Sequence, residues 1–400
     1  MAGVLSVGLP ASEAAEREPR LETVATFGDD FRLVGIGVSR QGRVFATAPA
    51  SVKRSRYSMV EVDTKTGALT PFPDESWNVY KPDDDGSNQW ISVQALWVDE
   101  HDHLWALDSS LASVDQTRQP PKLIEFDLAT RKIVRRFDYG KIVTPKDSLN
   151  DIRIDHKHNY AFISNAGNQG GVVVTNLDAG ESRLVLAGDR SSVADPTQHL
   201  MFGDRIARKL DGGVLVLQTD GIALSPDREW LYYRPLTDHH YWRLPTAALV
   251  DASLSAQELS ERVQFLGDGA ETGGLIMSGA GVLYGGDLEN RTVVAFDVVE
   301  RDGKPALAQK TFVGKHPQTF MGRWLCYRER IPVYRGLASA RVELLEWLSS
   351  RGQARDLSSA LAEAAGGWAR RLISGDYLRC AFATSSSRSQ PPPSARNRFT

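Results

Sequence analysis

Cysteine is nearly absent. The 400 residues hold two, Cys326 and Cys380, so no disulfide framework staples the body of the chain. No CxxC or Cys/His spacing marks a zinc site. No stretch approaches the roughly 20 consecutive apolar residues that a membrane span needs. Charge of one sign is also lacking: the formal net charge is −3, which gives no reason to expect nucleic acid as a partner. No phosphate loop, HExxH or GxSxG stands in a strand-and-helix context, and Asp268–Gly269 and Gly285–Gly286 read as turns. Lysine disappears after Phe320. From there on 13 Arg face 6 acids, a net of +7, while the 34 basic and 44 acidic residues before it leave −10. The body is acidic and the tail basic.

What is present is a repeated unit. Asp220 to Thr246 (DGIALSPDREWLYYRPLTDHHYWRLPT) contains three short apolar or aromatic runs bounded by turn residues, the pattern of consecutive antiparallel strands. The run–polar corner–run unit recurs at 33–48 (LVGIGVSRQGRVFATA), 91–108 (ISVQALWVDEHDHLWALD), 149–164 (LNDIRIDHKHNYAFIS) and 271–287 (ETGGLIMSGAGVLYGGD). Gly35, Gln94, Asp151, Gly221 and Gly273 open the copies at intervals of roughly 50–70 residues, the span of a four-stranded propeller blade with insertions. A composition of 42% hydrophobic and 24% charged residues suffices for a sizeable core. The fold expected is an all-β, six-bladed propeller over 19–315 with five blades readable. Leu21–Phe27 is expected to close the ring with the last blade, and 188–213 reads as an insertion.

The ends read differently. Residues 1–18 resemble the latter part of a secretory signal without its basic segment, or a disordered extension. Residues 316–373 carry helical rather than strand spacing, and 374–400 read as a disordered tail. Arg without Lys, rich in Ser and Ala, is also the composition of an out-of-frame reading of a GC-rich gene.

Blades set radially leave a central channel, and each innermost strand begins at its mouth. The residues opening the repeats are therefore the candidate ligand-binding set: Gln94, Asn150, Asp151, Asp220 and Thr272, with Glu271 beside them. Asp220 and Asn150 suit a metal or a substrate carbonyl, and equally suit capping of the opening turns. His239 and His240 follow the fourth unit's second strand, where a His can serve as general base. Trp97, Trp105, Trp230 and Trp242 are either an aromatic cage for a cationic amine or blade packing. His156 and His158 flank a solvated corner. Arg131, Lys132, Arg135 and Arg136 read as a charged outer edge.

The stretches VGIGVSRQGRVFATAP (34–49), VQALWVDEHDHLWALD (93–108), PPKLIEFDLATRKIVRRF (120–137), LNDIRID (149–155), AFISNAG (161–167) and DGIALSPDREWLYYRPL (220–236) follow one another in an order that resembles the major royal jelly protein/yellow family, in its bacterial branch. The resemblance implies a six-bladed propeller, usually secreted. Yellow-type members include dopachrome-converting enzymes, and salivary members bind biogenic amines in the central cavity. A more distant likeness is to gluconolactonase/regucalcin propellers, which hold a divalent metal at the channel mouth. That likeness puts Asn150 at one ligand position and Asp220 where an Asn is usual. Thr272 stands where an Asp is expected, with Glu271 next to it. It implies a Ca²⁺ site at Asn150, Asp220 and Glu271.

Two functions follow as expectations. One is a secreted or periplasmic monomer, a cytoplasmic one being the alternative, that binds a small molecule in its channel. The other is a lactonase-like or tautomerase-like enzyme on a small cyclic metabolite, with Asp220, His239 and Glu271 as catalytic residues.

Overall fold

The computed structural model describes residues 21–313, apart from positions 24, 26, 28, 29, 52, 53, 82, 114, 116 and 210, together with 378–380. Among the described residues stand five four-stranded antiparallel sheets, each a meander in chain order. The first is Ile36–Val38, Val44–Thr47, Met59–Val62 and Leu69–Pro71. Val93–Val98, His103–Asp108, Lys122–Asp127 and Lys132–Asp138 form the second. The third comprises Leu149–Asp155, Tyr160–Asn165, Val172–Asn176 and Ser182–Val185. Thr219–Leu224, Trp230–Pro235, His240–Pro245 and Gln264–Asp268 make the fourth, and Thr272–Met277, Leu283–Asp287, Thr292–Arg301 and Lys304–Val313 the fifth.

The first strand of each sheet lies against the first strand of the next, from the first sheet round to the fifth. That arrangement is radial: the sheets are blades of a propeller and their opening strands line the axis. Burial falls outward. Leu149–Asp155, Thr219–Leu224 and Thr272–Met277 are buried throughout, whereas the outermost strand Lys132–Asp138 is mostly exposed.

Strand alternation gives every blade two apolar faces, one for each neighbour. Phe45, Met59 and Phe72 meet Leu96, Leu104 and Phe126 between the first two blades. Trp97, Trp105 and Leu123 meet Ile152, Ile154 and Ile163 in the next seam. Phe162 and Val174 meet Ile222, Leu231 and Trp242 in the third, and Tyr232 and Tyr241 meet Leu275, Leu283 and Phe296 in the fourth.

The polar corners are tight turns. Gly42, Asp102, Arg228 and Gly281 each have positive φ and donate a backbone N–H three residues back, to Ser39, Asp99, Ser225 and Ser278. A turn ending in a left-handed residue matches strand twist, so Gly recurs there and Asp or Arg bears the strain elsewhere.

Three features differ from the sequence expectation. Ala25, Phe27, Phe31 and Leu33 cover one face of the first blade, and Leu21–Thr23 pairs in parallel with Leu378–Cys380, a segment expected to be disordered. Two short helices, Thr246–Val250 and Ala256–Glu261, interrupt the fourth blade; Ser255 and Glu258 form a capping box on the second. The expectations for 1–18, for 316–373 and for the rest of the tail lie outside the described residues. No described helix is long and apolar enough to cross a membrane.

Candidate functional site

In blades two to five the ladder between the first and second strands slips at one place. The shifts fall between Val93 and Ala95, Leu149 and Ile152, Thr219 and Ile222, and Thr272 and Leu275. Bulged residues leave the ladder, and their groups are turned elsewhere. The residues released are Gln94, Asn150 with Asp151, Asp220 with Gly221, and Gly273 with Gly274. Gln94, Asn150, Asp151 and Asp220 thus sit at bulges, whereas Thr272 stays in the ladder opposite Asp287 and Glu271 precedes its strand. The approach is close enough that a Cβ on Gly221 would lie 3.1 Å from the Gly274 backbone.

Gln94, Asn150 and Asp220 form a chain across three blades. Gln94 Nε2 donates to Asn150 Oδ1 at 3.0 Å, and Asn150 Nδ2 faces the Asp220 carbonyl at 3.4 Å. That carbonyl also accepts from Ser164 Oγ at 2.6 Å, whose oxygen takes the Asp151 N–H. Asp151 accepts from Arg153 Nη1 at 2.9 Å. Burial pushes the Asp151 carboxyl up, and the neighbouring guanidinium only partly offsets it.

Arg153 is a strut. It is buried, its guanidinium lies 4.7 Å from the centre of the Trp97 ring, and Nη2 donates to the Leu275 carbonyl of the fifth blade. It links three opening strands about three residues, or ~10 Å, beyond the mouth. Trp97 is the wall behind this strut. Trp105, Trp230 and Trp242 likewise carry the chain's own Arg135, Arg243 and Arg190 over their rings. The four tryptophans therefore do not assemble into a cage for a foreign cation.

Glu271 lies apart from that chain, at the seam of blades four and five. It is 0% exposed and neither carboxylate oxygen has a hydrogen-bond partner. Burial, with Glu289, Asp238 and Asp287 nearby, outweighs the Arg234 charge and pushes its pKa up to about 9. His239 Nε2 stands 3.9 Å from Glu271 Oε1. His239 Nδ1 donates to the Gly269 carbonyl at 3.0 Å, so in the neutral ring Nε2 keeps its lone pair. Glu289 joins them: the ligating atoms of His239, Glu271 and Glu289 all lie within 4.8 Å of one another. His240 turns instead toward Asp238 and Asp268.

Thr272 is already engaged. Its carbonyl accepts from the buried Arg234 at 2.7 Å, and its hydroxyl meets Arg234 at 3.3 Å and Tyr241 Oη at 3.1 Å. Arg234 occupies both Thr272 oxygens, and both ends of the Asn150 amide are taken. These groups do not fit a Ca²⁺ cradle, which wants six or more oxygens, several of them charged.

At the far end of the blades, Asp99 accepts from the N–H groups of His101 and His103, from Trp105 Nε1 and from His156 Nε2. His158 is held by Asp155. These histidines brace corners. Arg135 and Arg131 also bind inward, to Glu125 and Glu61, while Lys132 and Arg136 stay at the outer edge.

Sequence reasoning missed Arg153, Arg234 and Glu289. The signal for the first two was a charged residue inside an apolar run, in LNDIRID and WLYYRPL; Glu289 had only its place in a turn.

The Major royal jelly protein family matches residues 91–302. Major royal jelly protein 6 of Apis mellifera is 27% identical over 243 residues, which is 56% of this chain and 51% of that protein. Major royal jelly protein 3 of the same bee is 27% identical over 258 residues, 60% of this chain and 44% of its own. The chain spans about half the length of these curated relatives. Among solved structures, regucalcin from Agrobacterium tumefaciens, described as a calcium-binding protein, aligns at a TM-score of 0.41 and 13% identity over 75% of this chain and 81% of its own. A luciferin-regenerating enzyme aligns at 0.42 and 10% over 77% and 80%. With more than half its length matched in order, and the repeat visible as blades, the chain belongs to the major royal jelly protein family.

Proposed function

We propose that the protein binds a small, hydrogen-bonding molecule at the mouth of its central channel, without turnover. The observation that carries this is the set of four register bulges at the openings of consecutive blades, which take Gln94, Asn150 and Asp220 out of the sheets. Amides and carbonyls linked in a chain recognise polar ring substituents or an amine by exchanging partners at small cost.

Isothermal titration against arylalkylamines and small cyclic lactones tests it. Binding at or below the micromolar range, weakened at least tenfold by Gln94→Ala and by Asn150→Ala, supports the reading. Equal affinity in all three proteins, or no binding in either compound class, defeats it.

A second reading, a lactonase-like or tautomerase-like enzyme, is favoured by one observation: His239 Nε2 bears a lone pair 3.9 Å from the Glu271 carboxyl. Such a pair can move a proton. Product detected from a bound lactone or tautomer, and lost in His239→Ala, would select this reading over simple binding.

A further inference from the structure

The Ca²⁺ position implied by the regucalcin likeness does not suit its residues, yet a set of donors with free lone pairs stands beside it. We propose that His239 Nε2, Glu271 and Glu289 bind a first-row divalent ion, Zn²⁺ being the ion best suited, at the seam of blades four and five. The three ligand atoms lie within 4.8 Å of one another, with 3.9 Å between His239 Nε2 and Glu271 Oε1. Bonds of ~2.1 Å at the tetrahedral angle put ligand atoms about 3.4 Å apart, so small side-chain shifts close the site.

Glu271 supplies the independent observation. A carboxyl that is wholly buried, with neither oxygen in a hydrogen bond, is costly unless something else meets it. It faces His239, whose side chain is 37% exposed and leaves a route in from solvent.

The other two ligands are oriented by the backbone. The Gly269 carbonyl fixes the His239 tautomer, and the Met201 N–H donates to Glu289 Oε1 at 2.8 Å. Partners of this kind orient metal ligands and raise their basicity. One imidazole and two carboxylates suit a first-row ion better than Ca²⁺, which takes oxygen only. Three protein ligands leave at least one position open. Asp99 with His101 and His156 offers a superficially similar cluster, but its carboxylate already accepts four donors.

The inference depends on Glu271 and not on the amide chain, so the two proposals are separable. Full-length protein dialysed against chelator is titrated with Zn²⁺, with stoichiometry by elemental analysis. Co²⁺ is titrated separately and followed by its visible absorption. The expected result is one Zn²⁺ per chain and a Co²⁺ spectrum with nitrogen and oxygen ligation. His239→Ala and Glu289→Gln should each weaken Zn²⁺ at least tenfold, while His156→Ala and Asn150→Ala should leave it unchanged. Glu289→Gln retains an oxygen for the Met201 N–H, and a thermal melt matching wild type shows that it folds. Absence of stoichiometric Zn²⁺ at 100 µM free ion, on the order of a weak site, overturns the proposal. So does binding that ignores Glu289→Gln or falls with His156→Ala. Absence of Zn²⁺ binding by the wild-type protein alongside intact small-molecule binding would remove this inference and leave the earlier one standing.

Discussion

Arg153→Met tests the hub. The guanidinium is buried, pairs with Asp151 at 2.9 Å, donates to the Leu275 carbonyl and stacks on Trp97. Removing one partner of a buried ion pair costs about 3–5 kcal/mol. Two features put this substitution at the lower end. Burial already favours the neutral form of Asp151, which can take up a proton rather than stand as bare charge. Met also keeps the reach of the side chain and a sulfur–ring contact of roughly 0.3–1.5 kcal/mol, against about 2 for the desolvated cation. A loss of about 3 kcal/mol is expected. With an m-value of about 3 kcal/mol/M, the urea midpoint falls by about 1 M, read from tryptophan fluorescence. Asp151→Asn combined with Arg153→Met should lose less than the sum of the two single changes, because the pair is broken only once. A midpoint shift below about 0.3 M for Arg153→Met, or strict additivity, would refute the strut.

Lys122 and Asp108 form a second buried pair at 2.8 Å, and Asp108 also accepts the N–H groups of Ile91, Ser92 and Ser110. Lys122→Met should cost about 3 kcal/mol and Asp108→Asn more, since the latter strands a buried ammonium; urea midpoints in the reverse order would contradict this. The Asp99–His156 contact should make stability depend on pH. The hydrogen bond to Asp99 raises His156, so its contribution is complete below the ordinary His value of about 6.5 and fades as pH rises through the raised one. Burial alone would raise Asp99, but bonds from His156, Trp105 and the His103 backbone hold it low. Its share is present above the ordinary carboxyl value of about 3.9 and fades as pH falls through the lowered one. The stability gap between wild type and His156→Gln should therefore peak between about pH 4 and 6.5; a gap constant from about pH 5 to 9 would exclude the account. Gly285→Ala would place a Cβ 2.5 Å from Thr272 Cγ2, on a side chain held by Arg234 and Tyr241. A loss of about 1–3 kcal/mol is expected, and a melt equal to wild type would show that Thr272 yields.

Much of the mouth was legible in the residue order because blades repeat. Gln94, Asn150, Asp220 and Glu271 each precede an apolar run, and an opening strand starts at the axis wherever the meander is regular. Their partners were not legible. Asn150 finds Gln94 56 residues back and the Asp220 carbonyl 70 ahead, and nothing in either local stretch encodes that meeting. The tryptophans' place in blade packing was legible from their strand positions, but the arginine lying over each ring was not.

The sequence by itself determined the architecture. Short alternating runs, polar corners and a recurring interval admit few arrangements, and a two-faced apolar sheet must find a neighbour on each side. The tertiary structure alone decided the chemistry of the mouth. Register slips released certain side chains, the axis brought Arg153 across to the fifth blade, and a seam set His239 and Glu289 against Glu271. Those outcomes depend on distances between residues far apart in the chain, which pattern and propensity do not carry.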